Sequence, residues 1–184
     1  MIIGITGTYG AGKGTIASYL VKKKGFVHFS VSDYLTKEIK KRKMVINRDS
    51  MITLANDLRE KFGPDYLAVT LYKQAKATKK NSVIESLRTV GEIETLRKRG
   101  EFYLFAVDAD PKIRFQRIQK RAGSKDRVSF KKFMESEKNE METKDPTKQN
   151  LKKCIAMSDF KFKNNSNIKN LTQQVEKVLS TINQ

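Results

Sequence analysis

Apolar residues fall along this chain in short continuous runs, separated by longer stretches in which they recur every three or four positions. The runs Ile2 to Thr6, Phe26 to Ser30, Ser82 to Ile84, Phe102 to Val107 and Phe160 to Lys163 read as strands, the first and second of them buried. Between them the period changes to that of helices: Gly12 to Lys24, ended by Gly25; Asp33 to Lys43; Asp49 to Phe62, stopped by Gly63-Pro64; and Asp65 to Lys79. Thr89 and Glu92 form a capping box for a helix reaching Arg99, and Gly100 ends it. Asp110 and Pro111 supply an N-cap and a first-turn proline for a helix to about Arg121. In the last helix Ile168, Leu171, Val175, Val178, Leu179 and Ile182 recur at helical spacing. Strands that alternate with helices predict an α/β domain, a doubly wound five-stranded parallel sheet with helices on both faces. One domain spanning 1–184 accommodates all of it, with a helical insert at about 33–80. The polar, charge-dense stretch at about 123–150 is expected to lie over the site as a short helical lid.

The connection after the first strand carries the strongest chemical signal. Gly7-Thr8-Tyr9-Gly10-Ala11-Gly12-Lys13-Gly14-Thr15 links an apolar strand to a helix, the setting of a phosphate-binding P-loop. Its glycines let backbone N–H groups turn inward around a polyphosphate, and Lys13 adds a mobile positive charge beside the helix N-terminus. A turn that needed glycine only for steric reasons would have no use for a lysine inside it. Gly10 to Thr15 are therefore the candidate ATP-binding residues. Gly14 stands directly after Lys13 and the hydroxyl comes one position later, at Thr15. Mg²⁺ is then expected to be held through water, ATP oxygens and a distant carboxylate.

Ligands of doubly wound folds bind beyond the C-terminal ends of the strands, and the remaining candidates fall there. Glu85-Ser86-Leu87-Arg88 follows the third strand. Glu85 can hold a hydrated Mg²⁺ together with Thr15, and Arg88 can bind an acceptor phosphate bidentately. Asp33, after the second strand, can orient an acceptor or cap the next helix, and Tyr34 can line an acceptor pocket or pack under the insert. Arg114, Arg117 and Arg121 share one helix face, where like charges repel unless an anion answers them. Arg127 and Lys138 in the lid would complete such a clamp. His28, the sole histidine, is expected to be a satisfied core residue of the second strand.

Composition narrows the field further. A single cysteine, Cys154, excludes an internal disulfide and a cysteine-based zinc site, and suits a reducing compartment. No stretch approaches membrane-spanning length, so a cytoplasmic protein with no membrane partner is expected. The net charge of +18 invites a nucleic-acid hypothesis. Lysines are scattered rather than interleaved with aromatic residues on one face, and no RNA-binding motif appears, so no specific nucleic-acid partner is expected. The positive field would attract anionic nucleotides. No Ser-His-Asp arrangement, metal-ligand cluster or dinucleotide fingerprint is present.

Glycine-lysine-glycine-threonine, Ser32-Asp33, Glu85 to Arg88, Arg117 with Arg121, and Asn164 to Ser166 together resemble the adenylate kinase-like nucleotide kinases of the P-loop superfamily. The likeness runs nearly end to end. It extends to small proteins described as AAA-family ATPases or adenylate kinase-related. Asn56-Asp57-Leu58-Arg59 and Val107-Asp108-Ala109-Asp110 are also similar to kinase-like domains attached to deoxycytidylate deaminases. The resemblance implies that ATP phosphates sit on Gly10 to Thr15, that Asn164 and Asn165 border adenine, and that Thr8, Asp33, Tyr34 and Arg88 face the acceptor. It implies further that Lys13, Arg88, Arg117 and Arg121 act in catalysis, with ATP and Mg²⁺ required. A monomer or homodimer acting on a small nucleotide acceptor is expected, a nucleoside or deoxynucleoside monophosphate. Three departures bear on that acceptor. Thr36 replaces an acceptor-binding arginine, Glu85 replaces an aspartate, and the lid is short and zinc-free. Dephospho-coenzyme A kinases, which share the P-loop and an Asp after the second strand, are the enzymatic alternative. A nucleotide-dependent ATPase or switch binding RNA through its basic surface is the alternative of another class.

Overall fold

Successive residues of a strand point to opposite faces of its sheet, and in β1 (Ile2–Gly7) both faces are buried. Ile3 and Ile5 pack on one side with Val83, Phe105, Val107 and Phe162, while Ile2 joins Ile84, Leu87 and Leu104 on the other. Such a strand must be covered twice. The computed structural model describes residues 1–121 and 128–182. It shows β1, β2 (Val27–Ser30), β3 (Ser82–Glu85), β4 (Phe102–Asp108) and β5 (Phe160–Lys163) as one parallel sheet in the order β2-β3-β1-β4-β5. The predicted doubly wound α/β architecture is therefore the one observed.

Two hydrophobic layers hold it. On one face α1 (Lys13–Lys24) and α9 (Ile168–Ile182) bury Ile16, Leu20, Leu171, Val175 and Leu179. The opposite face is covered by α2 (Val31–Lys41), α3 (Arg48–Phe62), α4 (Tyr66–Ala77), α5 (Val90–Arg97) and α8 (Leu151–Ala156). Each fully buried Leu or Ile contributes about 1.5–3 kcal/mol relative to exposure. α6 (Pro111–Arg121) follows β4, and Ile118 packs beneath Gly10 of the glycine-rich loop.

Several local expectations change in the fold. Ser30, not Asp33, caps α2: its hydroxyl accepts from the Asp33 N–H at 3.1 Å, so the helix starts at Val31. β2 lies at the sheet edge, and His28 there is exposed rather than a core residue. The expected lid is described from residue 128 onward. There α7 (Phe130–Met141) packs Phe130 edge-on and Phe133 tilted against Phe115 of α6, with ring centroids 5.3 and 5.7 Å apart. α8 was not anticipated; it buries Leu151 and Cys154, and burial pushes the Cys154 thiol up to about 12.

The insert is tied to the sheet by a buried ion pair. Arg59 of α3 donates through Nε and Nη2 to Glu92 Oε1, at 3.1 and 2.9 Å, and neither side chain is more than 1% exposed. The other oxygen of Glu92 accepts from the N–H groups of Arg88 and Thr89, completing the anticipated capping box at Thr89. Removing one partner of a buried pair strands the other charge. Glu92→Ala is expected to lower stability by about 3–5 kcal/mol. Urea unfolding should show it, with Arg59→Leu added to Glu92→Ala recovering part of the loss.

Candidate active site

β1 ends between β3 and β4, and the chain leaves the sheet there in a turn that only glycine can make. A Cβ on Gly7, at φ +130°, would stand 2.0 Å from the Val107 carbonyl oxygen. At Gly12, φ +111°, it would meet the Asn164 amide nitrogen at 2.5 Å. The loop between them is thus a tight cradle of backbone. Lys13 enters it from the first turn of α1 and lies 8% exposed, its Nζ donating to the carbonyls of Gly7 at 3.0 Å and Thr8 at 2.9 Å. Burial, then the nearby Arg88, bring its ammonium down to about 7, against an opposing pull from Glu85.

The loop opens on a cleft of about 1470 Å³. One drug-sized ligand occupies roughly 300–1,000 Å³, so there is room for two reactants. Gly10, Gly12, Lys13, Gly14 and Thr15 line one part with Arg117, Arg121 and Asn164. Arg117 donates to the carbonyl oxygens of Asn164 and Ser166, and Asn164 donates to the Ala11 carbonyl at 2.7 Å, so the loop after β5 is stitched to the cradle. Ala11 itself is buried beneath it. The Arg121 guanidinium lies 5.8 Å from the centre of the Tyr9 ring. A second part of the wall comes from the insert: Val31, Leu35, Ile46, Met51, Ile52 and Ala55 make it apolar, with Asp33 beside them.

Glu85 and Arg88 lie between these parts. Glu85 approaches the cradle closely enough that a Cβ on Gly14 would be 3.8 Å from its carboxylate. Thr15 and Glu85, the expected metal-holding residues, both line this cleft. His28 Nε2 is 2.9 Å from Glu85 Oε2, and this hydrogen bond, against the opposing effect of burial, raises the imidazole above its usual value. Arg88 donates to Gln149 at 2.7 Å and to Glu140 of α7 at 2.5 Å. Glu140 also accepts from Arg48, whose guanidinium stacks 4.3 Å from the Tyr9 ring centre. Burial pushes the Glu140 carboxyl upward, but Arg88 and Arg48 outweigh it and hold the group below the usual carboxylate range.

Some expected positions are placed elsewhere. Arg114 does not face the cleft with Arg117 and Arg121. It is buried against Glu137, the Ala109 carbonyl and the Tyr9 carbonyl, because Glu137 of α7 answers its charge. Tyr34 packs in the insert with its hydroxyl 3.4 Å from that of Tyr66, outside the cleft wall. Thr8 turns its hydroxyl to Asp108 at 2.5 Å, and Asn165 accepts from the Asp110 N–H at 2.8 Å, so both shape loops behind the cleft. Lys138 is exposed on α7; the residues that face inward there are Phe133, Glu137 and Glu140. Arg127 lies outside the described residues. Sequence reasoning passed over Arg48, Glu140 and Gln149. For Glu140 a signal existed: Phe133, Glu137 and Glu140 are spaced by four and three, one face of a helix.

Comparison with known proteins follows this geometry. The AAA domain family matches residues 3–145. The chain belongs to that family. UPF0200 protein PF1294 of Pyrococcus furiosus is 30% identical over 188 residues, spanning 99% of this chain and 97% of that one. UPF0200 protein MJ1399 of Methanocaldococcus jannaschii is 29% identical over 185 residues, covering 99% and 90%. Among solved structures, a shikimate kinase from Aquifex aeolicus superposes with a TM-score of 0.57 at 14% identity, covering 98% of this chain and 97% of that one. A gluconokinase from Sinorhizobium meliloti gives 0.62 at 11% identity, covering 98% and 91%. The fold of this AAA domain is therefore that of P-loop kinases. Among the described residues, no helix is long and apolar enough to cross a membrane.

The state of Lys13 makes the cradle's preference measurable. An unfolded lysine keeps its proton to 10.5, whereas the folded one loses it at about 7. Between those values the unfolded chain binds more protons, so the ligand-free fold gains stability as pH rises through that window. Lys13→Met should raise thermal stability near neutral pH and flatten this dependence. A polyphosphate in the cradle restores the charge, so at about pH 8 ATP binding should take up protons in wild-type protein and none in Lys13→Met. Calorimetry in buffers of different ionisation enthalpy reads this directly.

Proposed function

We propose that this AAA domain is an ATP- and Mg²⁺-dependent phosphotransferase that passes the γ-phosphoryl group of ATP to the phosphate of a nucleoside or deoxynucleoside monophosphate. One observation carries the reading: the Lys13 cradle shares a single cleft with Arg48 and Arg88, two guanidiniums already arranged around an anion. The apolar wall of Val31, Leu35, Ile46, Met51, Ile52 and Ala55 gives the acceptor's base a surface to lie on.

In this reading the N–H groups of Gly10 to Thr15 and the Lys13 ammonium bind the ATP phosphates, and Arg117 and Arg121 neutralise charge on the transferring group. Asn164, with Asn165 behind it, shapes the border of the adenine. Arg88 holds the acceptor phosphate, whose ionised oxygen attacks the γ-phosphorus. The bond to the β–γ bridging oxygen breaks as the new phosphoanhydride forms, giving ADP and a nucleoside diphosphate. Thr15 and Glu85 would hold the hydration shell of a Mg²⁺ carried in on ATP, whose charge would stabilise the departing diphosphate. The acceptor is already ionised, so no side chain need remove a proton from it.

Asp33 favours a second reading. Its place in the cleft wall suits a base for a hydroxyl acceptor, as in a dephospho-coenzyme A kinase or a kinase of a small hydroxy acid or sugar. ADP release from ATP and Mg²⁺ should be measured against nucleoside monophosphates, dephospho-coenzyme A, shikimate, gluconate and RNA. The expected result is turnover with one monophosphate, about 10²–10³-fold lower in Lys13→Ala. Asp33→Asn should reduce it by less than about tenfold; loss by three or more orders of magnitude would support the hydroxyl acceptor.

A further inference from the structure

Glu140 stands where its helix does not favour it. It lies in the last turn of α7, where the helix dipole disfavours an anion, and its side chain is 6% exposed. Its carboxylate is placed by charges outside α7. Arg48 reaches it through Nε and Nη2, the guanidinium edge that engages oxyanions, and Arg88 reaches it through Nη1. The backbones of both arginines are anchored outside α7. Arg48 opens α3 beside the Asn47–Ser50 capping box and rests on Tyr9, while Arg88 is anchored by its N–H on Glu92 and its carbonyl under the Asn150 N–H. Remove Glu140, and Arg48 and Arg88 lose the one carboxylate they share, close enough to Lys13 that both depress its ammonium against the pull of Glu85. The pair is a preformed oxyanion subsite, and Glu140 is its internal occupant.

We propose that the acceptor's phosphate binds between Arg48 and Arg88 by displacing the Glu140 carboxylate, which makes Arg48 a second ligand of the acceptor. This rests on the phosphate-acceptor reading above. A phosphate dianion presents the same pair of oxygens with more charge. α7 is held as far as Glu137, by Phe130 and Phe133 on Phe115 and by Glu137 on Arg114, so the movement needed is confined to the turn between that anchor and the Asn150 amide on the Thr143 carbonyl. Acceptor arrival and release of that turn become one event.

The test uses the whole chain saturated with Mg²⁺ and a non-hydrolysable ATP analogue, so that the cradle is filled, and inorganic phosphate as the probe. Glu140→Gln should bind phosphate about tenfold or more tightly than wild type, because the competing charge is gone. The KM for the acceptor should fall in parallel. Adding Arg48→Met to Glu140→Gln should cancel the gain. Glu140→Asp, which shortens the carboxylate's reach and keeps its charge, should lie between wild type and Glu140→Gln. Unchanged or weaker phosphate binding in both Glu140→Gln and Glu140→Asp overturns the proposal, as does a gain that survives loss of Arg48. If no monophosphate is phosphorylated but the Arg48-dependent gain appears, the oxyanion subsite stands and the acceptor reading falls. If transfer occurs and neither binding nor KM responds to Glu140→Gln, the subsite alone falls.

Discussion

The buried carboxylate of Glu92 is the point on which the cleft's geometry turns. One of its oxygens takes the Arg59 fork and so fastens the helical insert to α5. The other receives the backbone N–H groups of Arg88 and Thr89 and so sets the path of the chain as it leaves β3. A neutral side chain could cap α5 as well, but it could not also compensate a guanidinium removed from water. The insert wall and the Arg88 backbone thus share one anchor. A shift of α3 would be felt at Arg88 without either touching a ligand.

Charge is the recurring cost of this cleft, and the chain meets it locally. Lys13 is solvated by the Gly7 and Thr8 carbonyls, Arg117 by those of Asn164 and Ser166, and Arg114 by Glu137. Carbonyl partners leave each cation open to an incoming anion, whereas a carboxylate partner must first be displaced. This distinction separates Arg117 from Arg114, although they sit three residues apart on α6. The first borders the cleft and is held by neutral groups; the second is buried and paired, fixing α7 to α6 and to the Tyr9 carbonyl.

Local physics made much of this visible in the sequence. The apolar runs, the glycine-lysine loop and the Thr89–Glu92 capping box depend on neighbours a few residues away, and each is found where the pattern puts it. His28 was misjudged because an edge strand and a central one can share an apolar run; position in the sheet is decided by the whole topology. The arginine stripe was misjudged for a related reason. Helical spacing groups Arg114 with Arg117 and Arg121, but only the arrival of α7 shows that Glu137 neutralises the first. Arg48 and Glu140, 92 residues apart, meet through a tertiary contact that no window of sequence contains.

The same reasoning locates specificity. Fold neighbours at 11–14% identity share the sheet and its helices, so these elements do not distinguish one acceptor from another. Acceptor choice then rests on the side chains of the cleft wall, where Val31, Leu35, Ile46, Met51, Ile52 and Ala55 supply an apolar surface and Arg48 and Arg88 meet at Glu140. A hydroxy acid could offer its carboxylate to both arginines, as Glu140 does, but it or a sugar would leave that apolar surface unfilled. On the monophosphate reading proposed above, the base would lie on that wall and its phosphate between the arginines. Substitutions that test acceptor choice therefore belong in the insert and the last turn of α7, not in the sheet that the fold neighbours share.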